Sequence, residues 1–268
     1  MPSNPPDPRP LDTLPMEQLR ILLKNHPGDW RADTGMAEGR PEPATSLPLP
    51  PDARLLDLPH PDSMPLGEMP VKDAIARRRS QRAFSPEPLP LDHLALLLWA
   101  AQGTTGAQRA ETGEILHRFR AAPSGGARYP LETFLAARNI DGLRPGLYRY
   151  LPETHRLLDI RPDPEIGARM HRACYGDPIP AEAAAVAIWA AVPERTEWKY
   201  GCIAHKMIAI EAGHACQNLH LAAESLPTGV CPILSYHQPS MDEIIGADSD
   251  RIFTIYLAAF GPAGPQCL

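Results

Sequence analysis

No two cysteines in this chain have the CxxC spacing of a zinc ribbon or a redox motif. The five present (Cys174, Cys202, Cys216, Cys231 and Cys267) are odd in number. A disulfide framework is therefore excluded as the organising principle, and the expectation is a reduced, cytoplasmic protein. The chain also lacks any apolar run of membrane-spanning length, and its opening stretch, MPSNPPDPRP, has neither the basic nor the apolar part of a secretory signal. Positive charge is in deficit: 26 Lys and Arg stand against 32 Asp and Glu, a net charge of −6. That balance gives no general attraction to nucleic acid or to an anionic membrane. There is no internal repeat and no glycine-rich dinucleotide fingerprint.

Proline divides what is there. Sixteen of the 33 prolines fall in residues 1–70. That segment has no room for long helices or central strands. It reads as an extended arm with one short helical stretch, MEQLRILLKN, carrying Leu19, Leu22 and Leu23 on a stripe. Residues 71–268 read as a single domain. VKDAIARRRS, with Val71 and Ile75 one turn apart, predicts a short helix, and LDHLALLLWAAQG predicts a buried one stopped by Gly103. ETFLAAR predicts a strand, and GLYRYLPETHRLLDI a hairpin turning at Pro152–His155. PEIGARMHRACYG reads as a helix, and AAAVAIWAAV as a buried strand, with a helix as the alternative. IAHKMIAIEAGHACQNLHLAAESL is the longest helical pattern, with Ile203, Met207, Ile210, Cys216 and Leu219 on its expected buried face, and IFTIYLAAFG closes as a strand. Helices and strands mix without a βαβ repeat, so the expected fold class is α+β.

Three stretches carry chemistry. In RRRSQRAF, Arg78, Ser80 and Arg82 alternate, with Arg77 and Arg79 adjacent. In an extended chain, positions 80 and 82 project to one side, and a hydroxyl between guanidinium forks suits a phosphate monoester. A basic, solvated helix end is the plainer alternative. In APSGGARYP, Gly125 and Gly126 bare the backbone to a close neighbour, or simply make a tight turn. In EWKYG, Lys199 and Tyr200 form a candidate proton-transfer pair, against the alternative of a surface lysine beside a core-covering aromatic. Glu114–His117 and Glu211–His214 have the i, i+3 spacing of carboxylate–histidine metal sites. With only one long helix evident, no metal site is expected.

Taken in order, RRRSQRAF, LLLWAAQG, APSGGARYP, GLYRY, KYG and IEAGHACQNLHLAAESL resemble the nitroreductase superfamily, and within it the SagB-type (thiazole/oxazole-forming) dehydrogenase branch. The resemblance runs from residue 71 to 261 and leaves out the arm. It implies a nitroreductase-like α+β fold, a mostly antiparallel sheet flanked by helices, with FMN bound at the interface of an intertwined homodimer. Arg78, Arg79, Ser80 and Arg82 would hold the FMN phosphate and ribityl chain. Pro123, Ser124, Gly125 and Gly126 would lie along the ring, and Gly229 would add a backbone contact. Lys199 and Tyr200 would take a proton as a peptide azoline is oxidised to an azole. The alternatives within the resemblance are a nitro- or quinone-reducing enzyme fed by NAD(P)H, bound transiently over the flavin, and a non-catalytic flavin-binding scaffold among peptide-modifying partner proteins. Members of the family commonly carry arginine where this chain has Lys206, and the lysine keeps the charge but loses the planar fork.

Overall fold

The computed structural model describes residues 14–25, 34–63 and 65–265. Cys267 and the side chain of Leu22 lie outside this description. Nine strands appear among the described residues: β1 (Arg54–Asp57), β2 (Thr104–Arg109), β3 (Ile115–Arg120), β4 (Leu131–Ala137), β5 (Gly146–Leu151), β6 (Arg156–Pro162), β7 (Ala185–Ala191), β8 (Thr228–Ile233) and β9 (Phe253–Pro262). Seven of them form one sheet in the order β1-β6-β5-β4-β7-β9-β8, and every neighbouring pair is antiparallel. β2 and β3 form a separate hairpin.

β7 explains why its sequence gave no alternation of polar and apolar residues. Side chains on a strand point to opposite faces in turn. Ala185, Ala187, Trp189 and Ala191 enter one core cluster, and Val186, Ile188 and Ala190 enter another. Both faces are covered, so every position is apolar. The first face packs against the helices α3 (Leu91–Gln102) and α7 (Ala204–Ala223). The second packs against α4 (Ile166–Ala173) and α8 (Gln238–Ile245). The expected hairpin forms, with His155 in the left-handed region (φ 52°) and its ring bonded to Tyr150 Oη at 2.7 Å.

Four short helices complete the set: α1 (Met16–Leu19), α2 (Val71–Arg77), α5 (Ile179–Glu182) and α6 (Glu194–Tyr200). The proline-rich segment supplies β1, and it does so at the sheet edge, where a strand needs bonds on one side only. One expectation changes. Ile210, expected on the buried face of the long helix, is 51% exposed, because at about 100° per residue it falls away from the stripe 204, 208, 212, 215, 219. The short helix expected at Val71 and Ile75 forms as α2, with both side chains exposed.

Candidate functional site

RRRSQRAF leaves α2 at Arg78 and becomes extended, as the alternation required. Ser80 bridges Val230 of β8 in parallel, and Gln81 N donates to Val230 O at 2.9 Å. Gly229 makes this crossing possible: a Cβ there would lie 2.4 Å from Gln81 Cγ. Arg78 stands close enough to His220 of α7 to act on its charge; burial, and then Arg78, push that imidazole down to about 4. His220 is therefore a neutral buried group. Burial pushes the Cys231 thiol of β8 up, and Arg82 stands close enough to oppose that rise. Arg79 turns back instead, donating to the carbonyl oxygens of Ala76, Arg77 and Arg78 at the end of its own helix.

APSGGARYP forms a second cluster. Gly126 (φ 60°), Ala127 (φ 55°) and Tyr129 (φ 48°) all occupy the left-handed region. Two of the three are not glycine, and each such residue costs about 1–2 kcal/mol. The loop is held there by its bonds. Ser124 Oγ accepts from Tyr129 N at 2.8 Å, Tyr129 Oη donates to Arg118 O at 2.7 Å and accepts from Arg120 N at 3.1 Å, and Arg195 Nη1 donates to Tyr129 O at 2.9 Å. Arg195 is itself buried and ion-paired to Glu132, whose other oxygen faces the buried Arg149.

The candidate pair meets this loop. A Cβ on Gly126 would lie 2.6 Å from Tyr200 Oη and 3.0 Å from Lys199 Nζ, and one on Gly125 would lie 2.2 Å from Met207 Cε. A side chain in place of either glycine would push these side-chain tips away from the loop. Lys199 Nζ also stands 5.7 Å from the centre of the Tyr200 ring. EWKYG is not merely a lead-in to the long helix: it closes α6, which Gly201 (φ 57°) then separates from α7.

Glu211 is a residue the sequence reading used only as half of a metal pair. It is buried on α7 and hydrogen-bonds Ser124. Burial pushes its carboxyl up to about 7, against the opposing pulls of Ser124 and Arg120, and Oε1 has no partner. A carboxyl inside the apolar stripe of a helix was the signal that could have found it. His214 is exposed where Glu211 is buried, so the two do not meet in one pocket, and Glu114–His117 lies in the β2–β3 hairpin and not on a helix. No group of three or more metal-ligating side chains occurs among the described residues. No helix there is long and apolar enough to cross a membrane.

The phosphate-type cluster and the loop cluster both touch α7, at different edges. Glu211 and His220 are nine residues apart and so emerge about 180° apart around the helix. Lys206 bonds the arm instead: its Nζ donates to Leu23 O and Asn25 Oδ1, both at 2.7 Å.

Comparison with known proteins matches the family model "Nitroreductase family" over residues 75–261. The similar proteins include several with the name "putative nitroreductase". MJ1384 of Methanocaldococcus jannaschii is 35% identical over 178 residues, 66% of this chain and 85% of that one. A crystal structure from Ralstonia eutropha is 26% identical with a TM-score of 0.63, covering 85% of this chain and 99% of that one. A chain of the E. coli microcin synthetase McbBCD complex with truncated pro-MccB17 bound shares the fold at 20% identity and a TM-score of 0.59, covering 93% of this chain and 94% of that one. With the antiparallel sheet flanked by helices and a match over most of its length, the chain belongs to the nitroreductase family, a family of oxidoreductases.

Proposed function

We propose that this protein is an FMN-dependent oxidoreductase of the SagB type, which oxidises azoline rings in peptides to azoles. The observation that carries this reading is the placement of Lys199 Nζ and Tyr200 Oη against the bare backbone of Gly126. Nitro reduction draws its protons from solvent and needs no such pair. Oxidation of an azoline removes one C–H hydrogen as hydride and another as a proton, and the pair is the acceptor for the proton. The microcin synthetase neighbour supports a peptide substrate and peptide-modifying partners.

The residues present fit FMN. Arg78, Ser80 and Arg82 offer guanidinium and hydroxyl donors to a phosphate monoester, and residues 123–126 offer exposed backbone to a flat ring. FMN bound there supplies a two-electron hydride acceptor. Because the two clusters stand at different edges of α7, a second copy of the chain closes each site, one copy giving the phosphate cluster and the other the loop. The open face of α7 supports this pairing, with Ile210 exposed and nothing within 4 Å of a Cβ on Gly213.

Lys199→Ala tests the reading. The expected variant keeps FMN and oxidises NAD(P)H but no longer converts an azoline peptide. Azoline oxidation at the parental rate would overturn the assignment of Lys199 as the proton acceptor, and a parent that reduces nitroarenes with NAD(P)H but oxidises no azoline would favour a nitro or quinone reductase. FMN that neither NAD(P)H nor an azoline can reduce would favour a flavin-binding scaffold.

A further inference from the structure

Helix α6 presents Lys199 and Tyr200 but is only seven residues long, and Gly201 breaks its continuity with α7. Its aim at the loop must therefore come from outside the helix. Arg195, through Glu132 and Tyr129 O, anchors the N-terminal half. The C-terminal half is anchored by the arm. Met36 N donates to Trp198 O at 2.8 Å, satisfying a carbonyl left over at the helix end. Trp198 Nε1 donates to Arg40 O at 2.9 Å. A Cβ on Gly35 would lie 2.7 Å from Trp198 Cδ1, so the arm's backbone rests directly on the indole. Arg128 of the loop also lies over the Trp198 ring, 5.3 Å from its centre, and pairs with Glu42 of the arm.

The chemistry of a proline-rich segment explains how it is held. Such backbone has carbonyls to offer and few N–H groups, so arginines from the sheet do the donating. Arg120 Nη2 reaches Thr45 O at 3.1 Å, and Arg149 Nη2 reaches Leu47 O and Pro48 O at 3.2 and 3.1 Å. Further along, Lys206 binds the arm at Leu23 and Asn25, so arm contacts bracket the segment 198–206.

We propose that residues 34–42 are a positioning strap: by clamping Trp198 they hold the adjacent Lys199 and Tyr200 against Gly126. The catalytic part of this proposal rests on the function proposed above. Trp198 and Gly35 are positioning residues, since neither reaches the reacting atoms.

The experiment compares the full chain with its Gly35→Ala and Trp198→Phe variants, with Lys199→Ala as reference. Gly35→Ala drives a methyl group into the indole, while Trp198→Phe keeps an aromatic ring but deletes the bond to Arg40 and part of the packing surface. Four quantities are read: amide hydrogen exchange over residues 198–203, FMN content, NAD(P)H-driven reduction of a nitroarene, and oxidation of an azoline peptide. In Gly35→Ala, exchange over 198–203 should accelerate and kcat for the azoline should fall about 10- to 100-fold. KM, FMN content and nitroarene reduction should stay within about twofold of the parent. Trp198→Phe should move the same quantities in the same direction by less. Unchanged exchange in Gly35→Ala would overturn the strap, as would faster exchange with azoline kcat intact. So would a joint loss of FMN and both activities, which would mark the contact as structural only. If Lys199→Ala oxidises azolines normally, the role of Lys199 as proton acceptor fails; if the parent oxidises no azoline, the proposed function fails; in both cases the exchange data still decide separately whether the arm holds α6.

Discussion

Replacing Glu211 by glutamine should make the protein more stable than its parent at neutral and higher pH, and not at acid pH. The folded carboxyl titrates at about 7 against an ordinary 4.5, first because burial disfavours its charge. A carboxyl with a folded pKa above its unfolded one holds its proton more tightly in the fold. Stability is therefore fully present below 4.5 and is lost as pH rises to 7. The difference of about 2.5 corresponds to about 3 kcal/mol. Glutamine cannot ionise, and its amide keeps a bond to Ser124. At roughly 2–4 °C per kcal/mol for a domain of this size, the variant's Tm should exceed the parent's by roughly 6–12 °C above neutrality. The advantage should shrink toward zero near the acid end of the window. The assay is the Tm difference between the two proteins, followed from about pH 4.5 to about pH 8. His220 acts in the opposite sense, since its folded pKa is lowered from 6.5 to about 4 and stability is lost as pH falls through that range. It is present in both proteins and cancels in the difference. A difference that stays flat with pH, or a parent more stable than the variant at the alkaline end, would refute the buried-acid reasoning.

Two further outcomes follow from single contacts. Gly229→Ala would place a methyl group 2.4 Å from Gln81 Cγ and lift residues 80–82 from β8, so FMN affinity should fall more than about tenfold in a fluorescence titration. Glu132→Gln would leave Arg195 and Arg149 buried without their carboxylate. Its urea midpoint should drop by the equivalent of about 3–5 kcal/mol; a midpoint equal to the parent's would mean that water or the arm's carbonyls replace the ion pair.

The β2–β3 hairpin was not legible in TTGAQRAETGEILHRFR, because its strands are mostly exposed and make their own small sheet, without the alternation that one buried face imposes. β8 was hidden for a different reason: TGVCPI is short and has no alternation, and its pairing is supplied by β9 on one side and by the Ser80–Gln81 segment on the other. Ile210 misled because an apolar residue on a long helix reads as core unless the helix has an open face. The arm was read from its prolines as extended and without central strands, and the proline chemistry behind that reading also accounts for the arginine donors that hold it.

Local chemistry determined a great deal. The periodicity of the long helix, the wholly apolar β7, the hairpin turn at Pro152–His155, and the glycines and alternating arginines of the two loops were all set by residue type and spacing. Only the tertiary structure decided what those features face. It put Lys199 and Tyr200 on Gly126, laid the arm across Trp198, gave Lys206 to the arm, and buried a carboxyl at Glu211 where helix periodicity alone would have asked for an apolar side chain. The physical reason is that periodicity and backbone propensity act between near neighbours in sequence, whereas these contacts join residues tens to more than a hundred positions apart. Which of them form is settled by how the sheet and α7 pack, and by the strained backbone of residues 126–129 that this packing holds in place.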